Sequence, residues 1–259
     1  MILEMNTVAS GPSMVRIYAL ESWFAFVQVL RAPAFALPTL LFPLAFYALF
    51  ALILPTRLGN MAPAHYMLAS YGAFAAMGPA LFGFGVGLAM EQQMGWLALK
   101  RAGPMPIGAY FASKVAMAML FALCTTLLLG ITAVVFGKVH MDIGQWLHLT
   151  LVLVFGAIPF CAMGLLIGSV AKAQGAVAIV NLIYLPMSAL SGLWIPVKMF
   201  PPLMQDLAPL LPAYHFGVLA LDAAGFELGN AAVALLALIG FTLAFTALAL
   251  YAQRRRWSP

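Results

Sequence analysis

Residues 91–104 read Glu91-Gln92-Gln93-Met94-Gly95-Trp96-Leu97-Ala98-Leu99-Lys100-Arg101-Ala102-Gly103-Pro104, a short island of charge between two long apolar runs. Charge is scarce in the whole chain: of 259 residues, 7% are Asp, Glu, Lys or Arg and 65% are hydrophobic. A soluble domain usually has about 25% charged residues. The composition therefore predicts a membrane protein, and the island is expected in water between two membrane-spanning segments.

Six intervals without a charged side chain mark six predicted transmembrane helices. A bilayer core about 30 Å thick needs roughly 20 apolar residues of helix, and a charge at the helix centre costs about 2.5–3.5 kcal/mol. Backbone groups in lipid must be satisfied internally, and because these runs lack the alternation of barrel strands, helices are favoured. The predicted fold class is an all-α polytopic membrane protein, a single domain over 1–259, with spans at about 34–54, 66–90, 109–136, 147–170, 173–195 and 230–252.

Two further segments are predicted to lie at the membrane surfaces. Residues 13–31 predict an amphipathic interfacial helix, since apolar side chains recur every three or four residues and polar ones gather on another face. The apolar interval 207–221 has only 15 residues and contains Pro209 and Pro212, so it is too short and too interrupted to span. Residues 196–229 are therefore predicted to form an external region with re-entrant helices before the last span.

The basic residues predict that both termini are cytoplasmic. With six spans, nine Lys and Arg residues fall on the side of the termini, and three fall on the other side, in accordance with the positive-inside rule. Those three are Arg57, Lys138 and Lys198. The net charge of +5 is thus explained by topology and does not indicate nucleic-acid binding. No cleavable signal peptide is expected, because Arg16 and Glu21 interrupt the first apolar stretch.

The sequence contains no set of residues typical of a catalytic site. The chain is therefore predicted not to be an enzyme and to need neither a cofactor nor a metal. Gly137-Lys138 resembles the end of a phosphate-binding loop, but Thr132 stands where the motif needs glycine, and Val139 where it needs Ser or Thr. Cys124 and Cys161 fall inside predicted spans and are interpreted as packing residues. Paired intramembrane carboxylates, typical of proton relays, are missing, and the apparent lack of charge inside the spans argues against a secondary transporter.

Small and polar residues inside the spans have structural and functional interpretations. The run Gly83-x-Gly85-x-Gly87 lies in an apolar helix and follows no strand, so it predicts close helix packing and not a nucleotide-binding loop. Three polar residues of the fifth span recur every seven positions and share one helix face. They are Gln174, Asn181 and Ser188. This face is expected to meet protein or water, either through interhelical hydrogen bonds or as the wall of a pathway.

Two motifs resemble those of the membrane subunits of ABC-2 type transporters, the permeases of bacterial exporters. The first is Glu91-x-x-x-Gly95-Trp96-x-x-Leu99-x-x-x-x-Pro104, running on to Tyr110 and Lys114. In that family an acidic end of the second span is followed by glycine, a short helix, a proline and a lysine at the start of the third span. The second motif is Leu190-Ser191-Gly192-Leu193-Trp194-Ile195-Pro196, followed by Phe200-Pro201 and Leu211-Pro212-Ala213-Tyr214. It is similar to the family's small-Gly-x-x-x-Pro end of the fifth span, with re-entrant helices before the sixth.

The resemblance implies an ATP-driven exporter permease in the bacterial plasma membrane, moving a hydrophobic or amphipathic substrate such as a drug, antibiotic, lipid or glycan. Besides the bilayer, it implies a cytoplasmic ABC ATPase subunit and a second permease copy, in a homodimer or a related heterodimer. The 91–108 loop would be the coupling loop. The residues expected at the contact with the ATPase are Glu91, Gly95, Trp96, Leu99, Lys100, Arg101 and Pro104. Those expected to shape the re-entrant region are Gly192, Pro196, Pro201 and Pro212.

Several alternatives stay open from the sequence. The 91–108 loop could be a solvated connector held by an interfacial tryptophan. If it is a coupling loop, either Gly95-Trp96, within an apolar ridge that also includes Leu97 and Leu99, or the basic pair Lys100-Arg101 could carry the contact. The whole chain could also be a polytopic accessory protein, a membrane enzyme or a secondary transporter without an ATPase partner.

Overall fold

The computed structural model describes residues 13–53, 63–97, 99 and 106–257, apart from the side chains of Ile107, Arg256 and Trp257. Arg57, Lys100, Arg101 and Pro104 lie outside the described residues. The principal helices are α1 Met14–Leu30, α2 Pro33–Ile53, α3 Pro63–Gln93, α4 Ile107–Val135, α5 Ile143–Phe155, α6 Ile158–Val170, α7 Ala173–Leu190, α8 Pro202–Leu207, α9 Pro212–Ala223 and α10 Ala231–Trp257.

The prediction of six transmembrane helices in an all-α fold is confirmed. Helices α2, α3, α4, α7 and α10 each provide one candidate span, and α5 and α6 together provide the fourth, Ile143–Val170. Across the parts of the chain that the structure describes there is no β-strand. Because six spans place both ends of the chain on one side of the membrane, we call that side the terminal side and the opposite one the distal side.

Helix α3, the second span, forms the centre of the molecule. In its most apolar stretch 83% of residues are buried, compared with 17% for the sixth span. It packs against α2, α4, α6, α7 and α9, while α10 packs mainly along α6. From Pro79 to Val86 the backbone of α3 widens into a π-helix. Proline lacks the N–H of a regular helical turn, so Pro79 explains where the ladder of hydrogen bonds changes register.

Close packing at the middle of α3 explains the glycines there. A Cβ atom on Gly164 of α6 would lie 2.7 Å from the carbonyl oxygen of Ala80, and one on Gly168 would lie 2.7 Å from that of Gly85. Two helix backbones therefore touch at a place where no larger residue fits. The interpretation of the glycine run as a packing motif is confirmed for Gly85, whose own nearest neighbours are backbone atoms of Gly164.

The N-terminal helix α1 lies where the interfacial helix is predicted. It begins after Ser13, whose hydroxyl accepts a hydrogen bond from the backbone N–H of Arg16, and it packs along α4. Phe26 on α1 and Phe121 on α4 meet with their ring centroids 5.2 Å apart. On its other side large apolar side chains are exposed, including Val15, Trp23 and Phe24, as expected of a helix that meets lipid.

The fifth span ends at Leu190, five residues before its predicted end. Gly192 takes a positive φ of 82°, and the N–H groups of Gly192 and Leu193 donate to the carbonyls of Ala189 and Ser188. This is the Schellman arrangement that closes a helix, and it favours glycine at the left-handed position. The Ser70 hydroxyl of α3 donates to the carbonyl of Leu193, which attaches the end of the fifth span to the central helix.

Two short helices follow on the distal side, in the predicted re-entrant region. Pro201 precedes the first turn of α8, and Pro212 opens α9, the position at which a proline costs no hydrogen bond. Helix α9 is buried against α3 and α10, with Phe216 fully enclosed. Helix α8 instead exposes Leu203 and Leu207. Neither helix is long enough to cross a bilayer.

We predict that Gly192→Ala lowers the free energy of unfolding by about 2 kcal/mol or more. The left-handed backbone disfavours alanine, and the new Cβ would lie 2.3 Å from Cγ2 of Val197. Gly240→Ala is the matched control, because no heavy atom lies within 4 Å of its Cβ position. Thermal unfolding of both variants in detergent measures the difference, and equal melting temperatures would contradict the proposed role of Gly192.

Candidate functional site

An ion pair joins the second and third spans near the terminal side. Nζ of Lys114 on α4 lies 2.6 Å from Oε1 of Glu91 on α3. The Lys114 side chain is 8% exposed and that of Glu91 is 13% exposed, so both charges are largely removed from water. The ring of Tyr110 lies 5.5 Å from the lysine nitrogen, and its hydroxyl interacts with Glu91. The three side chains form one buried polar cluster.

The expectation of spans without internal charge is wrong at this cluster. Helix α3 continues past Met90 to Gln93, so Glu91 belongs to the membrane-spanning helix and not to the loop. The extension is possible because Lys114 neutralises the carboxylate where water is scarce. A sequence signal was present, since Lys114 falls inside the predicted third span, and a charge at that depth calls for a partner.

The chain turns sharply where α3 ends. Met94 and Gly95 form the turn, and Gly95 has a positive φ of 74° with no heavy atom within 4 Å of its Cβ position. A short helical turn with Trp96, Leu97 and Leu99 follows, in which the N–H of Leu99 donates to the Gly95 carbonyl at 3.2 Å. We call residues 94–99 the terminal-side turn.

The terminal-side turn presents two apolar side chains to its surroundings. Trp96 is 54% exposed and Leu99 is 74% exposed, whereas Leu97 is 3% exposed and belongs to the hydrophobic core. The expected ridge of three apolar residues is therefore reduced to Trp96 and Leu99, because Leu97 anchors the turn to the helices. The structure thus places Glu91 in the buried cluster and Gly95 at the bend, with Trp96 and Leu99 at the surface.

A cavity of about 820 Å³ opens beside the ion pair. Helices α2, α3 and α7 form its walls, and the end of α1 reaches it through Gln28 and Val29. Most of its lining is apolar and partly aromatic, with Phe35, Phe42 and Phe82 among the contributors. Glu91 and Lys114 both line it, so one charged pair faces a space whose other walls are mostly apolar.

The three polar residues of the fifth span, Gln174, Asn181 and Ser188, which we call the polar stripe, do not form one continuous surface. Asn181 lines the cavity and its Nδ2 donates to the Val177 carbonyl at 3.1 Å. Ser188 is fully buried and donates to the Tyr184 carbonyl at 2.6 Å. Gln174 is exposed near the start of α7. The seven-residue repeat keeps these side chains on a similar face, but what covers that face changes along the helix.

A second cavity, of about 440 Å³, lies on the distal side between the end of the fifth span, the short segment Val197–Met199 and helix α9. Gly192 and Pro196 line it, so two of the four residues predicted for the re-entrant region surround this space. Within the described ranges, no group of three or more His, Cys, Asp or Glu side chains is placed to hold a metal ion.

Comparisons with known proteins decide the family. The family model for ABC-2 type transporters matches residues 19–224, from α1 to the residue after α9. The chain belongs to the ABC-2 type transporter family. It is also 32% identical over 197 residues to YvfS of Bacillus subtilis (strain 168), a proposed transport permease, covering 73% of this chain and 78% of the relative. The protein is therefore a multi-pass membrane subunit of a transporter.

We predict that breaking the ion pair of this permease destabilises it strongly. Lys114→Met or Glu91→Leu alone should each cost about 3 kcal/mol of unfolding free energy, because each leaves an uncompensated buried charge. The double variant should lose clearly less than the sum, since no unpaired charge remains. Equilibrium unfolding of the four proteins in detergent forms the double-mutant cycle, and strictly additive losses would show that the two side chains do not depend on each other.

Proposed function

We propose that this permease is the membrane-spanning subunit of an ATP-binding cassette exporter, which moves a hydrophobic or amphipathic substrate with ATP hydrolysed by a separate subunit. The observation that carries the proposal is that the exposed terminal-side turn continues directly from the helix that lines the large cavity. The exposed Trp96 and Leu99 follow directly on α3, whose last turns carry Glu91 at the edge of the large cavity. A partner that moves the terminal-side turn would therefore move a wall of the cavity.

The energy for transport is proposed to come from outside the chain. The sequence contains no Gly-x-x-x-x-Gly-Lys-Ser/Thr motif, which supports a separate subunit as the one that binds ATP. An ABC ATPase docked on Trp96 and Leu99 can shift the permease between two states only if it binds one state more tightly than the other. The buried side chain of Leu97 supports such transmission, because it ties the docking surface to the helical core.

The chemistry of the large cavity favours an amphipathic substrate. Its aromatic and aliphatic walls would accommodate an apolar body, while Asn181 and the Glu91–Lys114 pair would receive a polar end. A drug, an antibiotic, a lipid or the lipid-linked end of a glycan can each combine an apolar body with a polar end. A charged or strongly hydrated solute without an apolar part would find few partners on these walls.

A second permease copy is proposed on the open side of the cavity. Helices α2 and α7, which bound the cavity, have only 22% and 28% of their most apolar stretches buried within the chain. A second copy against these two helices would close the cavity from lipid and double its lining. The pair would be a homodimer or a heterodimer with a related permease.

We predict that Trp96→Ala weakens binding of the ABC ATPase subunit about tenfold, as expected for an exposed aromatic anchor at an interface. Leu99→Ala should act in the same direction but less strongly. Both variants should also reduce ATP-dependent transport of candidate amphiphiles by the complex in liposomes. Binding is measured with the purified permease, and transport by substrate accumulation after addition of ATP.

Two matched controls separate docking from general effects of the substitutions. Trp23 is 58% exposed on α1, and Leu203 is 71% exposed on the distal side, so Trp23→Ala and Leu203→Ala remove comparable apolar surface elsewhere. They should leave ATPase binding unchanged. Unchanged binding and transport in both Trp96→Ala and Leu99→Ala would refute the assignment of the terminal-side turn as the coupling segment.

We further predict that the terminal side is cytoplasmic in a bacterial plasma membrane. In a background with Cys124 and Cys161 replaced by alanine, Leu99→Cys should react with a membrane-impermeant maleimide in inverted vesicles but not in intact spheroplasts. Leu203→Cys should show the opposite pattern. Labelling of Leu99→Cys from outside intact spheroplasts would overturn the orientation.

The buried ion pair also raises a second candidate, a secondary transporter driven by an ion gradient. Charged groups inside the membrane occur in proton pathways, and Glu91 and Lys114 face a cavity. Transport by the permease alone under an imposed proton gradient, without ATP or an ATPase, would support this alternative. Transport that requires the ATPase and ATP would exclude it.

A further inference from the structure

The distal cavity contains a buried hydroxyl group without a hydrogen-bond partner. Ser191 follows the last residue of α7, is 4% exposed and lines the cavity. Its Oγ makes no hydrogen bond among the described residues. A buried hydroxyl normally has a partner, since leaving one unmade costs about 1–3 kcal/mol. The Ser191 hydroxyl is therefore available to hydrogen-bond a molecule that enters the cavity.

The cavity offers one positive charge beside apolar walls. Among the described residues that line it, Lys198 is the charged one, and it is itself exposed at the rim. Leu193, Val197 and Val218 contribute apolar surface. Three acidic residues, Asp206, Asp222 and Glu227, are sequence neighbours of lining residues, but none of them belongs to the lining itself. The lining therefore suits a molecule with an anionic polar end and an apolar body.

The location of the cavity favours a ligand that comes from the membrane. Helix α8 lies beside it and exposes Leu203 and Leu207, and Leu210 just beyond is 67% exposed. Such a row of exposed leucines is stable only in contact with lipid or another apolar partner. With these leucines in lipid, the cavity would lie at the level where lipid headgroups meet acyl chains. Its volume of about 440 Å³ would hold a headgroup and the first carbons of its chains.

We propose that this cavity is a binding site for the phosphate headgroup of an anionic phospholipid from the distal leaflet. Lys198 attracts the phosphate, the Ser191 hydroxyl donates a hydrogen bond to it, and the acyl chains leave between the exposed leucines. Gln205 holds the rim in place, because its Nε2 donates to the Phe200 carbonyl at 2.7 Å. The site is separate from the large cavity and does not depend on the direction or the energy source of transport.

The test is native mass spectrometry of the full-length permease in detergent, titrated with phosphatidylglycerol or with phosphatidylcholine of the same acyl chains. The first phosphatidylglycerol should bind at least fivefold more tightly than phosphatidylcholine. Lys198→Gln should remove about fivefold of this affinity, the effect of one cation near a membrane surface. Ser191→Ala should weaken phosphatidylglycerol binding about tenfold, the effect of a lost hydrogen bond to a charged group.

Lys138→Gln is the matched control, because Lys138 is also an exposed lysine of the distal side but does not line the cavity. It should leave the affinity unchanged. Equal losses in Lys198→Gln and Lys138→Gln, no effect of either Lys198→Gln or Ser191→Ala, or no preference for phosphatidylglycerol would each overturn the proposal. A further arm adds inorganic phosphate at millimolar concentration. Displacement of the lipid by phosphate alone would identify a site for free anions and would overturn the assignment to a lipid.

Discussion

The ion pair between Lys114 and Glu91 is the interaction on which the terminal-side half of the permease depends. A lysine about two turns inside the third span cannot remain charged in lipid without a partner, and Glu91 provides it at 2.6 Å. The pair therefore fixes two things together, the depth of the third span and the length of the second. Because α3 must extend to reach Lys114, its last turn ends at Gln93, and the bend at Gly95 follows at once.

The same central helix is held quite differently at its middle. There, α3 and α6 meet through backbone atoms at Gly85, Gly164 and Gly168, and only the side chain of Leu88 is also close to Gly168. Such contacts gain little from apolar burial in lipid and depend on close van der Waals packing. The π-helical stretch from Pro79 to Val86 lies in this region and also lines the large cavity through Phe82 and Gly83. Part of the α3 surface that lines the large cavity thus has an irregular helical backbone.

The sequence predicted the elements well, because lipid imposes a simple rule on composition. The number of spans, the helical fold class and the short distal helices follow from charge-free length and from the positions of prolines, and the N-terminal helix follows from its amphipathic periodicity. The pairing of Glu91 with Lys114 did not follow, since the two residues are 23 positions apart and no periodicity connects them. Leu97 was similarly misplaced, because an apolar residue between Trp96 and Leu99 gives no sign of whether it faces the core or the surface.

The polar stripe of the fifth span shows what sequence periodicity does not predict, namely which neighbours cover a helix face. Spacing placed Gln174, Asn181 and Ser188 on one face, but only the neighbouring helices decide that Asn181 meets a cavity and Ser188 meets the core. Sequence periodicity describes one helix, whereas a pathway is a property of several. The orphaned hydroxyl of Ser191 is a related case, since a serine after a helix end is ordinary in sequence and is informative only once its surroundings are known.

A row of contacting aromatic rings leads from the lining of the large cavity to the end of the fifth span. Tyr184 lines the large cavity, stacks on Phe74 with ring centroids 4.9 Å apart and donates its hydroxyl to the Phe74 carbonyl at 3.0 Å. Trp194, which follows Leu193 of the distal cavity, meets Phe74 in a T-shaped arrangement with ring centroids 5.7 Å apart. These contacts join α3 to the fifth span and its end. A substrate that leaves the large cavity between α3 and α7 would have to part these contacts, and in the proposed mechanism the ATPase would supply that energy through the terminal-side turn.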